Sequence, residues 1–179
     1  MEKTNVMRIL EKNNIKYSSY DYSKTNAISG VEVATILNIE FKKIFKTLVT
    51  IGKTTKYYVF LLPVDDELDL KKAAFSVKEK TIEMVKSKDL LSIVGYIHGG
   101  CSPIGMKKEF PIIIDSKALI NDEIIFSAGK IGYQVSVKLD DLKKVINFSI
   151  ADICKDNDKK NIWKFILNIF TIFFIFLFY

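Results

Sequence analysis

The sequence predicts an α+β fold on a single domain, and three observations lead there. Runs rich in β-branched and aromatic residues follow one another in hairpin-like succession, above all "IFKTLVTIG" and "KYYVFLLPV", with only "KTT" between them. Helical patterns are short and scattered rather than alternating regularly with strands, which argues against a βαβ array. The chain's 179 residues suffice for one domain with a proper core and are too few for two comfortable ones.

Taken in order, "KTNVMRILEKNNI" places Val6, Met7, Ile9 and Leu10 at helical spacing behind Thr4 or Asn5 as cap, with Asn13-Asn14 as a stop. "KYSSYDY" reads as a strand, and "SGVEVATILNI" as a short helix opened by Ser29-Gly30. The hairpin at 44–64 follows, then "DELDLKKAAFSV", a helix with acidic residues near its positive end. "TIEMV" predicts a strand and "KSKDLLSIVG" a helix, after which a glycine-rich loop begins. "FPIIIDSKAL" and "EIIFSAG" are strands, and "YQVSVKL" alternates with period two, as a strand with one wet face does. "DDLKKVIN" predicts a closing helix. No internal repeat is present.

Composition narrows the function classes. With 49% hydrophobic and 27% charged residues the chain has the balance of a soluble globular protein. The net charge of +6 comes almost wholly from lysine, Arg8 being the one arginine. That excess suits a polyanionic partner, although an AT-rich genome gives the same lysine-rich bias. Cys101 and Cys154 form no CxxC pair and nothing completes a four-ligand zinc set, so no metal or cofactor is expected. Two free thiols and an N-terminus without an apolar signal core fit a reducing cytoplasm.

The end of the chain differs in kind. Residues 1–154 carry the domain pattern, 155–161 are a polar linker, and 162–179 are almost wholly apolar. A bilayer span takes about 20 apolar residues. A membrane anchor, a helix packed on the domain and a dispensable extension are three readings of this tail.

The loop "GYIHGGCSPIGMKK" at 95–108 holds His98, the only histidine, and Cys101. A thiol hydrolase needs the two to meet in space with a third group orienting the base. Neighbourhood in sequence establishes none of that. The plainer reading makes Cys101 a small filler and His98 a strand residue. Gly99-Gly100 with Ser102-Pro103 and Gly105 builds a tight loop whose backbone can approach a ligand closely.

Four stretches taken together carry a family resemblance: "FKTLV" at 45–49, "ELDLKKAA" at 67–74, the loop at 95–108, and "SAGKIG" at 127–132. "EKNNI" and "ADI" at 151–153 also fit. The chain resembles the YbaK family of trans-editing aminoacyl-tRNA deacylases over about residues 3–154, and is most similar to its Cys-tRNA(Pro) deacylase branch. The resemblance implies a mixed barrel-like sheet of six to seven strands with surrounding helices. It implies a task too: prolyl-tRNA synthetase misloads cysteine, a near-isostere of proline that a size sieve separates poorly, and a second enzyme cleaves the wrong ester.

By the same resemblance Lys46 is the residue required for activity, its ammonium suited to a phosphate or ribose oxygen of the terminal adenosine. Gly99 and Gly100 offer backbone to the aminoacyl group, and the substrate's own thiol attacks its ester to give a cyclic thiolactone. Cys101 is then a loop side chain without a catalytic part. Tyr22, Thr47, Cys101, Ser102, Pro103, Ser127, Gly129 and Lys130 are implied to line the same pocket. Gln134 stands where some relatives have aspartate and can still hydrogen-bond a ribose hydroxyl. Lys71, Lys72, Lys107 and Lys108 are either phosphate-facing or simply solvated. The implied partners are the 3′-terminal aminoacyl-adenosine of a mischarged tRNA and the prolyl-tRNA synthetase in a ternary complex. An Ala- or Ser-tRNA deacylase that activates water, and a non-catalytic aminoacyl-tRNA or synthetase-binding module, are the alternatives.

Overall fold

The computed structural model describes residues 2–156; the rest of the polar linker and the apolar tail lie outside the described residues. Helix α1 (Asn5–Lys12) is capped by the Thr4 hydroxyl, which accepts from the Met7 N–H, and it buries Val6, Met7 and Leu10. Asn14 stops it in the left-handed region, φ 56°. Then come β1 (Ser18–Asp21), α2 (Gly30–Ile36), β2 (Phe45–Gly52), β3 (Tyr57–Pro63), α3 (Leu70–Ser76), β4 (Ile82–Met84) and α4 (Leu90–Ile93). The remaining main elements are β5 (Ile112–Asp115), β6 (Glu123–Ser127), β7 (Tyr133–Lys138), α5 (Leu139–Leu142) and β8 (Phe148–Ala151). The expected strand "FPIIIDSKAL" ends at Asp115, whose carboxylate accepts from Lys117 N and opens a short 3-10 helix, Ser116–Ile120.

The strands form a sheet of five in the order β4-β2-β3-β5-β8 and a sheet of three, β1-β7-β6. An isolated parallel bridge from Ile44 to Ile125 joins them. The hairpin β2-β3 is antiparallel, whereas β3-β5 and β5-β8 are parallel. Mixed pairing with helices around it is the α+β architecture expected. The eighth strand, β8, is an addition to the reading above. Its four residues have no alternation of burial, and its partner β5 lies more than 30 residues upstream, so neither signal was local.

The main core lies between the two sheets. Phe45, Val49, Val59, Leu61, Ile112 and Ile114 from the larger sheet meet Ile124, Phe126, Val135 and Val137 from the smaller, with α1 closing one end. The opposite face of β3, through Tyr58, Phe60 and Leu62, packs on Ala73 and Ala74 of α3. Both faces of β3 are therefore covered, which accounts for its unbroken apolar run. Strand β7 departs from the expectation of one wet face. Gln134 and Ser136 alternate with Val135 and Val137 as read, yet they too are buried, at 6% and 3% exposure.

Candidate functional site

The site begins with a gap in sheet pairing along β2. Hydrogen bonds from Val64 N to Ile44 O and from Gly52 N to Lys56 O fix which residues face β3. In an antiparallel pair such residues alternate, so the even-numbered ones bond β3 and the N–H and C=O of Phe45, Thr47, Val49 and Ile51 point to the other edge. At the start of β2 that edge meets β6 through the Ile44–Ile125 bridge. At its end β4 takes residues 50–52, and Val85 N donates to Val49 O. Between these attachments the edge around Lys46–Leu48 opens on a cavity of about 490 Å³. Ile28 to Val31 at the start of α2, Met84, Val85 and Ser87, the glycine loop, Ser127 and Gln134 form the other walls.

Lys46 lies half-buried in this wall, its Nζ donating to the Val64 carbonyl at 3.0 Å. Burial pushes its ammonium below the ordinary lysine value, and the carboxylates of Asp66, Glu67 and Asp65 oppose that shift. Asp66 is itself anchored, 2.7 Å from Lys117 Nζ. Lys117 N in turn donates to Asp115 at the end of β5. Lys46 is thus a cation poorly solvated by water and tethered by one backbone carbonyl. Such a group gains most from an anionic or strongly accepting ligand.

Two residues that line the cavity carry buried polar atoms without a partner. Among the described residues, Thr47 Oγ1 and Gln134 Oε1 are the buried side-chain atoms that no hydrogen bond reaches. Ser127, across the strand pair from Gln134, accepts from Gly129 N at 3.2 Å. Ser29 is locally committed by a capping box, its hydroxyl accepting from Glu32 N while the Glu32 carboxylate accepts from Ser29 N. Gly30 lines the wall because a Cβ there would overlap the Val64 side chain.

The glycine loop leaves α4 through Gly95, φ 88°, in the left-handed conformation that ends many helices. Gly100 N donates to Ile97 O, closing a turn whose third residue, Gly99, has φ 82°. Positive φ at that position is the type II turn geometry that favours glycine. His98 therefore occupies a turn corner at the cavity, exposed, and not a strand as the sequence suggested. Cys101 is a buried wall residue, and burial pushes its thiol up to about 12. It stays protonated at neutral pH.

The structure brings together Lys46, Thr47, Gly99, Cys101, Ser127 and Gln134 of the residues implied by resemblance. Six others are not on the cavity wall. Gly100 has its N–H taken by the turn and lies against the Lys130–Ile131 backbone. Ser102 is fully buried, its hydroxyl accepting from Ile104 N, and Pro103 lines a separate cleft with Lys107 and Phe110. Tyr22 packs with Ala27 and Val33 while its N–H donates to Gly132 O. A Cβ on Gly129 would press on Tyr96, so this glycine serves packing. Lys130 pairs with Glu2 at 2.6 Å on the surface. Of the doubtful lysines, Lys72 pairs with Asp152 and Asp156, and Lys107 Nζ donates to Leu91 O. Ile28, Ser29, Met84 and Ser87 were missed. They carry no chemical signature and reach the wall only through the folding of distant segments.

The family profile of the aminoacyl-tRNA editing domain matches residues 25–145. Over 153 residues the chain is 42% identical to a protein of Enterococcus faecalis named as a Cys-tRNA(Pro)/Cys-tRNA(Cys) deacylase, EbsC, covering 85% of this chain and 93% of that one. A proline–tRNA ligase of Shouchella clausii is 29% identical over 102 residues, which is 57% of this chain and 18% of the ligase. A crystal structure described as a trans-editing enzyme for prolyl-tRNA synthetase superposes with a TM-score of 0.72 at 23% identity, covering 84% of this chain and 95% of that one, a likeness of fold. With its profile match and a relative this similar over nearly its full length, the chain belongs to the aminoacyl-tRNA editing domain family, which its four sequence motifs resemble.

Proposed function

We propose that this protein is a trans-editing deacylase that frees tRNA(Pro) from wrongly attached cysteine, with the substrate's thiol as nucleophile. The observation that carries the mechanistic part is the state of Cys101. A thiol pushed to about 12 by burial is a poor nucleophile at neutral pH, and it is the one cysteine on the cavity wall. With no reactive enzyme thiol on the wall, the sulfur nucleophile of this proposal is the one the substrate brings. In the proposed step the cysteinyl sulfur attacks the ester carbonyl, the bond to the ribose oxygen breaks, and the thiol proton passes to that oxygen. The products are a cyclic thiolactone, later opened by water, and tRNA with a free terminal hydroxyl. Lys46 stabilises negative charge near the terminal adenosine, and the Gly99 backbone shapes the floor on which the aminoacyl group lies.

The S. clausii relative, in which the matching stretch is under a fifth of a proline–tRNA ligase, supports prolyl-tRNA synthetase as the partner that presents the tRNA. Work in the cytoplasm follows from that reading. Among the described residues no helix is long and apolar enough to cross a membrane, and any anchoring role rests on the tail beyond them.

The test is deacylation of Cys-tRNA(Pro), Ser-tRNA(Pro) and Ala-tRNA(Pro) by the full chain. The proposal expects the cysteinyl ester to be cleaved on the order of a hundredfold faster than the seryl one, since only the first carries an internal sulfur nucleophile. Equal rates on all three would establish water activation instead. Absence of single-turnover cleavage would make the chain a binding module.

A further inference from the structure

Lys46 stands at one end of a row of alternating charges that the proposed reaction does not use. Cross-strand partners share a face of the sheet, so Lys46 lies on the side of its partner Leu62, away from the main core. The register that matches Leu61 with Ile114 puts Asp115, one step on, level with Leu62. Asp115 shares the side of Ile113, two residues before it, and that is the Leu62 side. Two more charges come from the segments that follow β3 and β5. Asp66 belongs to the first and Lys117 to the second, with Lys117 Nζ 2.7 Å from the Asp66 carboxylate. Asp115 is fully buried and accepts from Lys117 N at 2.9 Å and from Ile153 N at 3.0 Å. In order of sign the row is Lys46, Asp66, Lys117, Asp115.

Burial decides which member acts on Lys46. Asp65 and Glu67 flank Asp66 but are exposed, so water and salt screen them, and Glu67 pairs with Lys155 at 2.6 Å. Asp66 is only 6% exposed, and its field reaches Lys46 largely through protein. It also lies two residues from Val64, whose carbonyl takes the Lys46 ammonium. The direction found at Lys46 agrees: burial lowers it, and Asp66 leads the charges that raise it again. Lys117 is about half exposed, so its opposite effect is weaker. Of the other titratable groups on the cavity wall or against this turn, Cys101 and Cys154 are held protonated by burial, and His98 stands exposed on the rim.

Resting on the deacylase reading above, in which Lys46 works as a cation, we propose that Asp66 is a positioning residue that keeps Lys46 charged in its half-buried place, with Lys117 as the counterweight that limits its pull. Asp66 acts through Lys46 and touches no substrate. Without a carboxylate behind it, a poorly hydrated ammonium gives up its proton more readily. Because Lys117 shares that carboxylate, the support stays partial, and Lys46 keeps its appetite for an anionic ligand.

The test reads the ionisation of Lys46 directly. Trace acetylation with acetic anhydride across a range of pH, followed by mass spectrometry, is applied to the wild type, Asp66→Asn and Lys117→Met. Lys53, exposed in the β2–β3 turn, is the internal reference in each. Asp66→Asn should move the half-labelling pH of Lys46 down by about one pH unit, the scale of losing a nearby opposite charge. Lys117→Met should move it up by less. The pH above which Cys-tRNA(Pro) deacylation falls should move in the same sense in each variant. Both variants break one ion pair, so opposite shifts mark a charge effect, whereas loosened structure would move both alike. A Lys46 unmoved in Asp66→Asn would overturn the proposal. So would a downward shift in Lys117→Met, and either variant decides if the other does not fold. Shifts as expected in a protein that cleaves no cysteinyl ester would support the placement of Asp66 and fail the deacylase reading.

Discussion

Strand β2 and the loop from Gly95 to Gly105 border the same cavity, and both carry family motifs, yet they contribute different things. The strand brings chemistry: a tethered, poorly hydrated ammonium at Lys46, an unpartnered hydroxyl at Thr47, and main-chain groups of Thr47 directed at the open edge. The loop brings shape. Its polar atoms are largely taken within the loop, Gly100 N by Ile97 O and the Ser102 hydroxyl by Ile104 N. Its one thiol on the wall is held protonated. A motif can thus mark a functional region without its most reactive-looking side chains taking part.

The sharpest way to break that contrast is at Lys46. Lys46→Met should lower deacylation on the order of a hundredfold or more, the scale of removing a preorganised charge. Its thermal midpoint should stay level or rise slightly, since an apolar side chain replaces a half-buried charge. The pH dependence follows from the direction of the shift. A lysine depressed in the folded state binds protons less tightly than in the unfolded chain, so stability rises with pH from the folded value to the ordinary one of about 10.4. Activity that needs the charged form falls over the same window. Lys46→Met should abolish the stability trend; turnover like the wild type's, measured on Cys-tRNA(Pro), would take Lys46 out of the site.

Gly99 and Gly100 sharpen the account of the loop. At φ 82°, alanine at 99 adopts a left-handed conformation costing ~1–2 kcal/mol, and its Cβ comes within 3.2 Å of Ile28. Gly99→Ala should drop the midpoint by roughly 2–8 °C and slow cleavage about tenfold. A Cβ at Gly100 stays 3.4 Å or more from its neighbours, an ordinary contact. Gly100 is not among the positive-φ glycines, so Gly100→Ala should leave stability within ~1 kcal/mol of the wild type. Paired denaturation and kinetic measurements decide, and an equal loss in both variants would mean the turn is not what shapes the floor.

The smallest effect is expected at Cys101. With its thiol near 12, about one in a hundred thousand is ionised at pH 7. Iodoacetamide should label it slowly in the folded protein and rapidly in urea, followed by mass spectrometry. Cys101→Ala should keep deacylation within about threefold. A loss on the order of a thousandfold, the scale of a nucleophile, would return the reacting sulfur to the enzyme.

What the sequence made legible is what local pattern encodes. The hairpin 44–64 and the Thr4 and Ser29 caps follow from short-range rules, and the structure has them where those rules put them. Helix α3 starts at Leu70 behind Asp69, later than the expected helix from Asp66, because the Asp69 carboxylate takes the Lys71 and Lys72 N–H groups as its cap. Lys46 and Thr47 were legible as a motif on a strand. Which glycine of a pair carries positive φ was not, because that depends on how the turn closes, and the choice fell on Gly99. Gln134 and Ser136 read as solvent-facing since alternation reports polarity, not what covers a face; here the covering comes from neighbouring strands and a cavity wall. Strand β8 and the exposed wall residues from α2 and the β4–α4 link depend on long-range pairing, which leaves no mark in a short window.

The interrupted edge of β2 has a consequence for self-association. An unpaired strand edge is a template on which another chain can dock as an added strand. In this fold the opening is only about three residues long, bounded by the Ile44–Ile125 bridge at one end and by Val85 on Val49 at the other. A docking strand needs a longer run of exposed main chain than that. A flat ring or a small ester needs no more. Framing the opening at both ends leaves free backbone groups within reach of a small guest and too short a run, on this edge, for an added strand.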